Sequence, residues 1–302
     1  MTTVPTLPAQ LAAPVDDIIR RALAEDLGPT PDSPLGDLTT LATVPADLTL
    51  TARLVAKADG ILAGLAVFAR TFTLLDPATQ LTFHAADGDS VTRGQVVAHL
   101  TGPGRALLTA ERTALNLLQR MSGIATYTHA LVTAATAANP RVRILDTRKT
   151  VPGLRALDKY AVTLGGGHNH RTGLYDMALI KENHIAAAGG ITAAVQRVRA
   201  AYPDLPIEVE VTTLTELDEA LPLNLNRILL DNMTLDQLRA AVAKTASTTP
   251  LEASGNVSLA TVAQIAATGV DYISSGALTH SVTALDLSLL IDTPWQPHRS
   301  QP

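Results

Sequence analysis

The sequence of 302 residues contains no cysteine, which excludes disulfide bonds and any zinc or iron–sulfur site that needs cysteine ligands. Aromatic residues are scarce at 3%, whereas hydrophobic residues reach 46%, so the core must be built mainly from alanine, valine, leucine and isoleucine. The net charge of −5 shows no overall excess of basic residues. A general nucleic-acid-binding protein needs a basic surface, and we therefore expect no nucleic-acid partner.

Long hydrophobic runs and a secretory leader are missing as well. No stretch approaches the ~18 apolar residues of a membrane span. The first residues, MTTVPTLPAQLAAP, have neither a basic region nor a continuous apolar region. We therefore expect a cytoplasmic protein that does not interact with membranes.

The part of the chain before Pro140 mixes helical and strand patterns. Strand patterns occur at 48–57, 81–85 and 96–100. They are followed by a long alanine-rich helical pattern at 107–138, which we expect to break near Ser122–Gly123. This part predicts a small α/β layer.

After Pro140, short apolar runs alternate with helical segments. The runs are VRILD (142–146), MALIK (177–181), IEVEV (207–211), RILLD (227–231), PLEASG (250–255) and VDYISSG (270–276). Repeated strand–helix alternation implies a parallel sheet. Six strands are too few for a complete eight-stranded barrel, so we expect an incomplete one.

Polar residues lie at the end of almost every one of these strands. They are Asp146–Lys149, Lys181–His184, Glu208 and Glu210, Asp231–Asn232, Glu252 with Ser254–Gly255, and Ser274–Gly276. In a barrel, the carboxyl ends of the strands converge on one mouth, where active sites lie, whereas the outer strands of a flat sheet end far apart. The pattern therefore favours an open α/β barrel over a doubly wound sheet.

Two glutamates of IEVEV point the same way, because strand side chains alternate between faces. Buried unpaired charge is costly, so Glu208 and Glu210 need cationic, metal or hydroxyl partners. Glu210 lies nearer the mouth and is expected to be functional. For Glu208, a structural salt bridge and a functional role are equally open.

Several cationic side chains lie at strand ends or in the loop before a strand. They are Arg148, Lys149, His170, Arg171 and Lys181. Arginine recognises carboxylate and phosphate through a bidentate fork, so these cations beside carboxylates predict a polyanionic substrate and suit a divalent ion. By contrast, we expect Arg143, Arg155 and Lys159 to be solvated.

Three glycine-containing loops adjoin the strands. GGGHNHR (165–171) lets the backbone approach a ligand closely, but it lacks the spacing of a dinucleotide-binding fingerprint. SGNVS (254–258) and SSGALTHS (274–281) follow the last two strands. Such Ser-Gly loops are typical of phosphate sites in barrels, and together they predict phosphate binding.

The longest motif, LDTRKTVPGLRALDKYAVTLGGGHNHRTGLYDMALIKENHI (145–185), closely resembles the quinolinate phosphoribosyltransferase family. The likeness continues through TAERTALNLLQRMSGIAT, IEVEV, ILLDNM, LEASGNVS and YISSGALTHS, and the N-terminal EDLG and GDLTT also fit. It therefore covers nearly the whole chain. Minor departures are Val151, where threonine is common, and Glu182, where aspartate is common.

The resemblance implies a two-domain fold. An N-terminal α/β sandwich would comprise residues 1–115, joined by the C-terminal tail 282–302. An open α/β barrel of about six to seven strands, residues 116–281, would carry catalysis.

The resemblance also implies a reaction. Members of the family convert quinolinate and phosphoribosyl pyrophosphate, with Mg²⁺, to nicotinate mononucleotide, pyrophosphate and CO₂, a step of NAD biosynthesis. They work as dimers or larger assemblies, so a homo-oligomer with shared active sites is expected.

The roles of individual residues follow from the matching positions. Substrate-binding roles are implied for Arg112, Arg148, Lys149, His170, Arg171, Lys181, Glu210, Asp231, Ser254, Gly255, Asn256, Ser275, Gly276 and His280. Lys181, Glu210 and Asp231 would be catalytic, and the two acids would also engage the ribose hydroxyls and, directly or indirectly, the magnesium. The carboxylates of quinolinate would be held by Arg148, His170, Arg171 and Lys181, and the phosphates would meet Lys149. Arg112 would reach into the site of the neighbouring subunit.

Three alternatives are weighed against this interpretation. A Schiff-base barrel enzyme such as an aldolase would use Lys181 as its nucleophile, but it needs neither Arg148 nor Arg171 nor two Ser-Gly loops. A paralogue of the same fold would take another substrate, although the retained DTRKT and Lys181–His184 favour quinolinate. A non-catalytic metabolite-binding protein would have lost charged groups at the mouth, and none of the candidate positions is lost.

Overall fold

The computed structural model describes residues 5–28, 36–246 and 248–292. Residues 293–302 of the predicted C-terminal tail lie outside the described residues. The chain divides into two compact units, Met1–Thr126 with Thr283–Pro302, and Tyr127–Val282. No helix within the described ranges is long and apolar enough to cross a bilayer.

In chain order, the helices and strands are α1 (Ala9–Leu27), α2 (Leu38–Thr43), β1 (Thr49–Ala56), β2 (Gly60–Ile61), α3 (Leu65–Leu75), β3 (Gln80–Phe83), β4 (Ser90–Val91), β5 (Val96–Pro103), α4 (Gly104–Ala138), β6 (Arg143–Leu145), α5 (Arg155–Leu164), β7 (Ala178–Ile180), α6 (Glu182–Ala188), α7 (Ile191–Ala201), β8 (Ile207–Val211), α8 (Leu214–Ala220), a 3-10 helix (Leu221–Leu223), β9 (Arg227–Asp231), α9 (Leu235–Thr245), β10 (Leu251–Ser254), α10 (Val262–Ala266), β11 (Tyr272–Ser274), α11 (Ala277–His280) and β12 (Leu287–Asp292).

The first unit is built on an antiparallel sheet in the order β12–β1–β5–β3. Leu50, Ala52 and Leu54 alternate along β1 and are all buried, because every second side chain of a strand faces the same side. They share a core with Phe68 and Phe72 of α3. Helices and sheet thus enclose one apolar layer, as expected for an α/β sandwich.

Helix α4 runs unbroken from Gly104 to Ala138, so the predicted break near Ser122–Gly123 is wrong. Glycine at position 123 serves close packing rather than a bend, since an added Cβ would lie 2.2 Å from the backbone oxygen of Thr283. Ser122 accepts a hydrogen bond from the N–H of Ala63 at 3.0 Å. The division between the units, at 126/127, also falls inside this helix, later than the predicted 115/116 boundary. A continuous helix carries no turn signal that could mark such a boundary.

The second unit contains the six predicted parallel strands, in the order β6–β11–β10–β9–β8–β7. Strands β6 and β7 form the edges of this sheet and do not pair with each other within the described ranges. His168 adds one parallel bridge to Leu145 of β6. The unit is therefore an open α/β barrel, and the predicted fold class is confirmed.

Capping boxes begin the helices that follow β8 and β9. The Thr213 hydroxyl accepts from the N–H of Glu216 at 3.2 Å, and the Glu216 carboxylate accepts from the N–H of Thr213 at 3.1 Å. Thr234 and Gln237 repeat this exchange at the start of α9. Short, hydrogen-bonded connections thus leave the last residues of both strands on rigid backbone.

Candidate active site

A cavity of about 790 Å³ opens at the carboxyl ends of the six parallel strands, and every strand end contributes to its wall. The predicted residues that line it are Arg148, Lys149, His170, Arg171, Lys181, Glu210, Asp231, Ser254, Gly255, Asn256, Ser275, Gly276 and His280. Edge strands β6 and β7 reach the same cavity, which requires a curved sheet. Arg112 lies exposed on α4 and is not among the residues that line the cavity.

Two arginines lie close together in the cavity wall. Burial and the positive charge of Arg148 lower the pKa of Arg171, while the negative charges of Glu208 and Asp176 oppose this shift. The Nε of Arg148 is buried and has no hydrogen-bond partner within the part of the chain that the structure describes. Neighbouring guanidiniums repel unless an anion lies between them, so this part of the cavity suits a substrate with carboxylate groups.

A hydrogen-bonded turn fixes Arg171. The carboxylate of Asp176 accepts from the backbone N–H groups of Thr172 at 2.6 Å and Gly173 at 3.0 Å. Arg155 donates to the backbone oxygen of Thr172 at 3.1 Å. The expectation that Arg155 is merely solvated is therefore wrong, because its guanidinium supports the turn that carries Arg171.

A lysine and two acids lie at neighbouring strand ends. Lys181, directly after β7, places its Nζ 2.5 Å from Oε2 of Glu210, and its side chain is 47% exposed. The backbone N–H of Lys181 donates to Nδ1 of His184 at 3.0 Å, which fixes the start of α6. Asn232 donates to Oδ2 of Asp231 at 2.8 Å. The arrangement offers one cation and two carboxylates to a ligand in the cavity.

Glycine lies in close contact with neighbouring side chains in both Ser-Gly loops. Gly255 has φ +102°, and an added Cβ would lie 2.1 Å from Oδ1 of Asn232. At Gly276, an added Cβ would lie 2.7 Å from Cδ of Lys149, so this lysine passes directly over the glycine. The hydroxyl of Thr279 donates to the backbone oxygen of Lys149 at 2.8 Å. Small residues here leave backbone and Lys149 accessible to an anion.

A buried ionic cluster, composed of Arg227, Glu252, His170 and Glu208, adjoins the cavity. Arg227 Nη1 lies 2.6 Å from Oε2 of Glu252, and Nε2 of His170 lies 2.9 Å from Oε2 of Glu208 and 3.5 Å from Oε2 of Glu252. Both glutamates are fully buried. Burial and the negative charge of Glu208 raise the pKa of Glu252 to about 7, against the opposing effects of His170, the Ser274 hydroxyl and Arg227. Glu208, whose role the sequence left open, is thus part of a salt-bridge cluster and does not line the cavity.

A second buried ion pair holds the backbone of His170. Lys159, expected to be solvated, is only 4% exposed, and its Nζ lies 2.5 Å from Oδ1 of Asp146. Lys159 also donates to the backbone oxygen of His170 at 3.0 Å, and the backbone N–H of His170 donates to Asp146 at 2.8 Å. Burial raises the pKa of Asp146 to about 6, although Lys159 and the His170 N–H oppose the shift. The prediction for Lys159 is therefore wrong.

Two family models together match most of the chain. The model of the quinolinate phosphoribosyl transferase C-terminal domain matches residues 124–290, and that of the N-terminal domain matches residues 37–122. The chain belongs to the quinolinate phosphoribosyltransferase family. The resemblance inferred from the sequence is thereby confirmed.

Individual members of the family are similar to this chain over most of their own length. Quinolinate phosphoribosyltransferase [decarboxylating] 1b of Nicotiana tabacum is 45% identical, covering 95% of this chain and 85% of that protein. Nicotinate-nucleotide pyrophosphorylase [carboxylating] of Mycobacterium leprae is 48% identical, covering 90% and 95%. The crystal structure of NadC from Streptococcus pyogenes superposes with a TM-score of 0.87 at 40% identity, covering 95% and 98%.

Some cavity residues of this family member were not singled out from its sequence. They are the apolar Leu179, Leu229, Val257 and Ala277. Strand alternation was a usable signal for two of them, since Leu179 precedes Lys181 by two positions and Leu229 precedes Asp231 by two. These leucines provide apolar surface suited to a flat ring.

Proposed function

We propose that this chain transfers the phosphoribosyl group of phosphoribosyl pyrophosphate to quinolinate, with loss of CO₂, to give nicotinate mononucleotide and pyrophosphate for NAD biosynthesis. The observation that carries the proposal is the convergence of an arginine pair, a lysine–glutamate pair and two Ser-Gly loops on one cavity. The relatives' names, quinolinate phosphoribosyltransferase and nicotinate-nucleotide pyrophosphorylase, support it.

Quinolinate would occupy the part of the cavity beside Arg148 and Arg171. Its two carboxylates match the two guanidiniums in number and sign, and the free Nε of Arg148 offers a donor. Lys181 would lie at the carboxylate that is lost. Both ring nitrogens of His170 already face protein groups, so His170 would support these cations through its position.

The phosphates would occupy the opposite part of the site. Lys149 would supply a point charge, and the loops after β10 and β11 would supply backbone and hydroxyl donors. The loop residues proposed for this role are Ser254, Gly255, Asn256, Ser275, Gly276 and His280.

The oxygen atoms of Glu210 and Asp231 fit a magnesium ion that retains waters and is shared with substrate phosphates, because magnesium prefers oxygen ligands. One Glu210 oxygen is already paired with Lys181, so the other atoms of the two carboxylates would hold the ion or its waters. When bound, magnesium would neutralise negative charge on the pyrophosphate. The same two acids are placed to accept hydrogen bonds from the ribose hydroxyls and to stabilise positive charge on the sugar.

The chemistry has two parts. The ring nitrogen of quinolinate bonds to C1 of the ribose while the bond from C1 to pyrophosphate breaks, and positive charge develops on the sugar. The carbon–carboxylate bond then breaks, its electron pair stays on the ring carbon, and that carbon takes a proton from solvent. A cation at Lys181 would stabilise this electron pair.

The direct test is an assay with the purified protein, quinolinate, phosphoribosyl pyrophosphate and magnesium. We expect nicotinate mononucleotide and CO₂ to form in equal amounts and only when all three additions are present. Omission of each component in turn is the control. A folded protein that forms no product from quinolinate but accepts another aromatic acid would instead support the altered-substrate alternative.

Arg171→Ala is expected to raise the KM for quinolinate about 10- to 100-fold, because hydrogen bonds to a charged group contribute about 1.5–3 kcal/mol. The KM for phosphoribosyl pyrophosphate should change little. Steady-state kinetics with each substrate varied in turn measures both. Arg239→Ala, which removes an exposed arginine paired with Asp236, is the matched control. Equal losses for both substrates would show that Arg171 does not belong to the quinolinate subsite.

The assembly and location of the protein are part of the proposal. A homo-oligomer, at least a dimer, would bring the exposed Arg112 of one subunit to the cavity of another. A cytoplasmic location remains a prediction, and it is tested by cell fractionation with antibody detection.

A further inference from the structure

The buried ionic cluster places charged side chains on three neighbouring strands of the barrel. Glu208 of β8 is paired with Arg227 of β9, and Glu252 of β10 is paired with Leu229, two positions further along β9. Other buried positions of these strands hold residues such as Val209 and Ala253. Buried charges usually stabilise a fold less than apolar side chains of similar volume. Stability alone is therefore a poor explanation for their presence.

The cluster is incompletely hydrogen-bonded. Both carboxylate oxygens of Glu208 are buried without a hydrogen-bond partner among the described residues, although one lies within ion-pair distance of His170. Arg227 is held on the other side by Glu252 and stacks 4.1 Å from the ring centre of Tyr272. Nε2 of His170 is likewise buried without a hydrogen-bond partner in that part of the chain, so its 2.9 Å separation from Oε2 is the one ion-pair contact of the Glu208 side chain there.

His170 connects the cluster to the substrate cavity. Its Nδ1 accepts from the backbone N–H of Arg171 at 2.7 Å, so the ring proton lies on Nε2, which faces the two glutamates. The backbone N–H and carbonyl oxygen of His170 are hydrogen-bonded to Asp146 and Lys159, respectively. The backbone of His170 is therefore fixed by these two residues. Its ring faces the glutamates through Nε2 on one edge and contacts the N–H of Arg171 through Nδ1 on the other edge.

We propose that Arg227, Glu252 and Glu208 are positioning residues, which orient His170 and thereby hold Arg171 in the geometry that binds the acid substrate. In this role, none of the three charged groups needs to contact the substrate. The inference rests on the proposed function, because it assigns the cluster to the quinolinate subsite rather than to the phosphate loops.

The test compares Glu208→Gln and Glu252→Gln with the wild-type protein in the nicotinate mononucleotide assay. We expect each variant to raise the KM for quinolinate roughly tenfold, because it neutralises a carboxylate that lies within ion-pair distance of Nε2 of His170. The KM for phosphoribosyl pyrophosphate should stay within about twofold, since the proposed link runs from the cluster through His170 to Arg171 and not to Lys149 or the phosphate loops. Asp218→Asn, which breaks the exposed pair with Lys244, is the control and should change neither constant.

A variant that does not fold is replaced by the double variant Arg227→Gln/Glu252→Gln, which removes the two ion-paired charges of Arg227 and Glu252 together. Its quinolinate affinity should fall by a similar factor, with a circular dichroism spectrum like that of wild type. Equal changes in both KM values, or none, would overturn the inference while leaving the function intact. A metal retained by the wild-type protein and lost in Glu208→Gln would also overturn it, because the cluster would then be a metal site. A wild-type protein without activity would remove the proposed function and this inference together.

Discussion

Replacing Lys181 by alanine is expected to lower kcat about 10²–10³-fold, the usual effect of removing one group that stabilises developing negative charge. The side chain projects from the end of β7 into the cavity and pairs with Glu210 at 2.5 Å. Its loss would remove a cation from the electron pair formed on decarboxylation and would leave Glu210 without its partner. Steady-state and single-turnover measurements of CO₂ release would give the change in kcat.

Two further variants distinguish the loss of positive charge at position 181 from a general disruption of the structure. Lys181→Arg keeps a cation at the same strand end and is expected to retain more activity than Lys181→Ala. Lys244→Ala removes an exposed lysine of the same unit and should behave like wild type. If Lys181→Ala retained near wild-type kcat, the lysine would have no catalytic role.

The same variants address the Schiff-base alternative. A lysine nucleophile must be an uncharged amine that forms a covalent bond with a carbonyl carbon, and arginine cannot replace it. Lys181 is instead ion-paired with Glu210. Partial activity in Lys181→Arg, together with no adduct after borohydride treatment, would exclude this alternative. A trapped adduct on Lys181 would favour it.

The barrel and its mouth were predictable because both depend on short-range pattern. Each strand is an apolar run with a polar end, and β8 and β9 have the predicted bounds. Parallel strands must place their carboxyl ends on one side, so a polar residue at the end of each run predicts a shared cavity. This reasoning placed Lys181, Glu210 and Asp231 together without any knowledge of contacts.

Partners distant in the sequence were not predictable in the same way. Lys159 lies beside Leu157 and Ala161 on α5, and helical periodicity cannot distinguish a lysine buried against Asp146 from one in solvent. Gly123 signals a break in a sequence pattern but in fact provides space for the backbone at Thr283. In both cases the deciding neighbour belongs to another element, whose position only the fold reveals.

Oligomers that combine Arg112→Ala subunits with Lys181→Ala subunits are expected to recover activity that neither variant shows alone. In a dimer with shared sites, each mixed pair contains one site with both changes and one site with neither. About half of the sites would therefore be intact once the mixed dimers are isolated. Arg112 is exposed on α4, so its guanidinium is open to contact with another subunit.

The measurement uses co-expression of the two variants with different affinity tags, so that mixed oligomers are isolated before the assay. Lys181→Ala combined with Glu210→Ala is the matched control. Both side chains line the same cavity, so every site in that mixed oligomer carries one of the two changes and no activity should return. Recovery in the first combination and not in the second would assign Arg112 to the neighbouring site. Equal results in the two combinations would mean that each subunit builds its site alone, and Arg112 would then have no part in substrate binding.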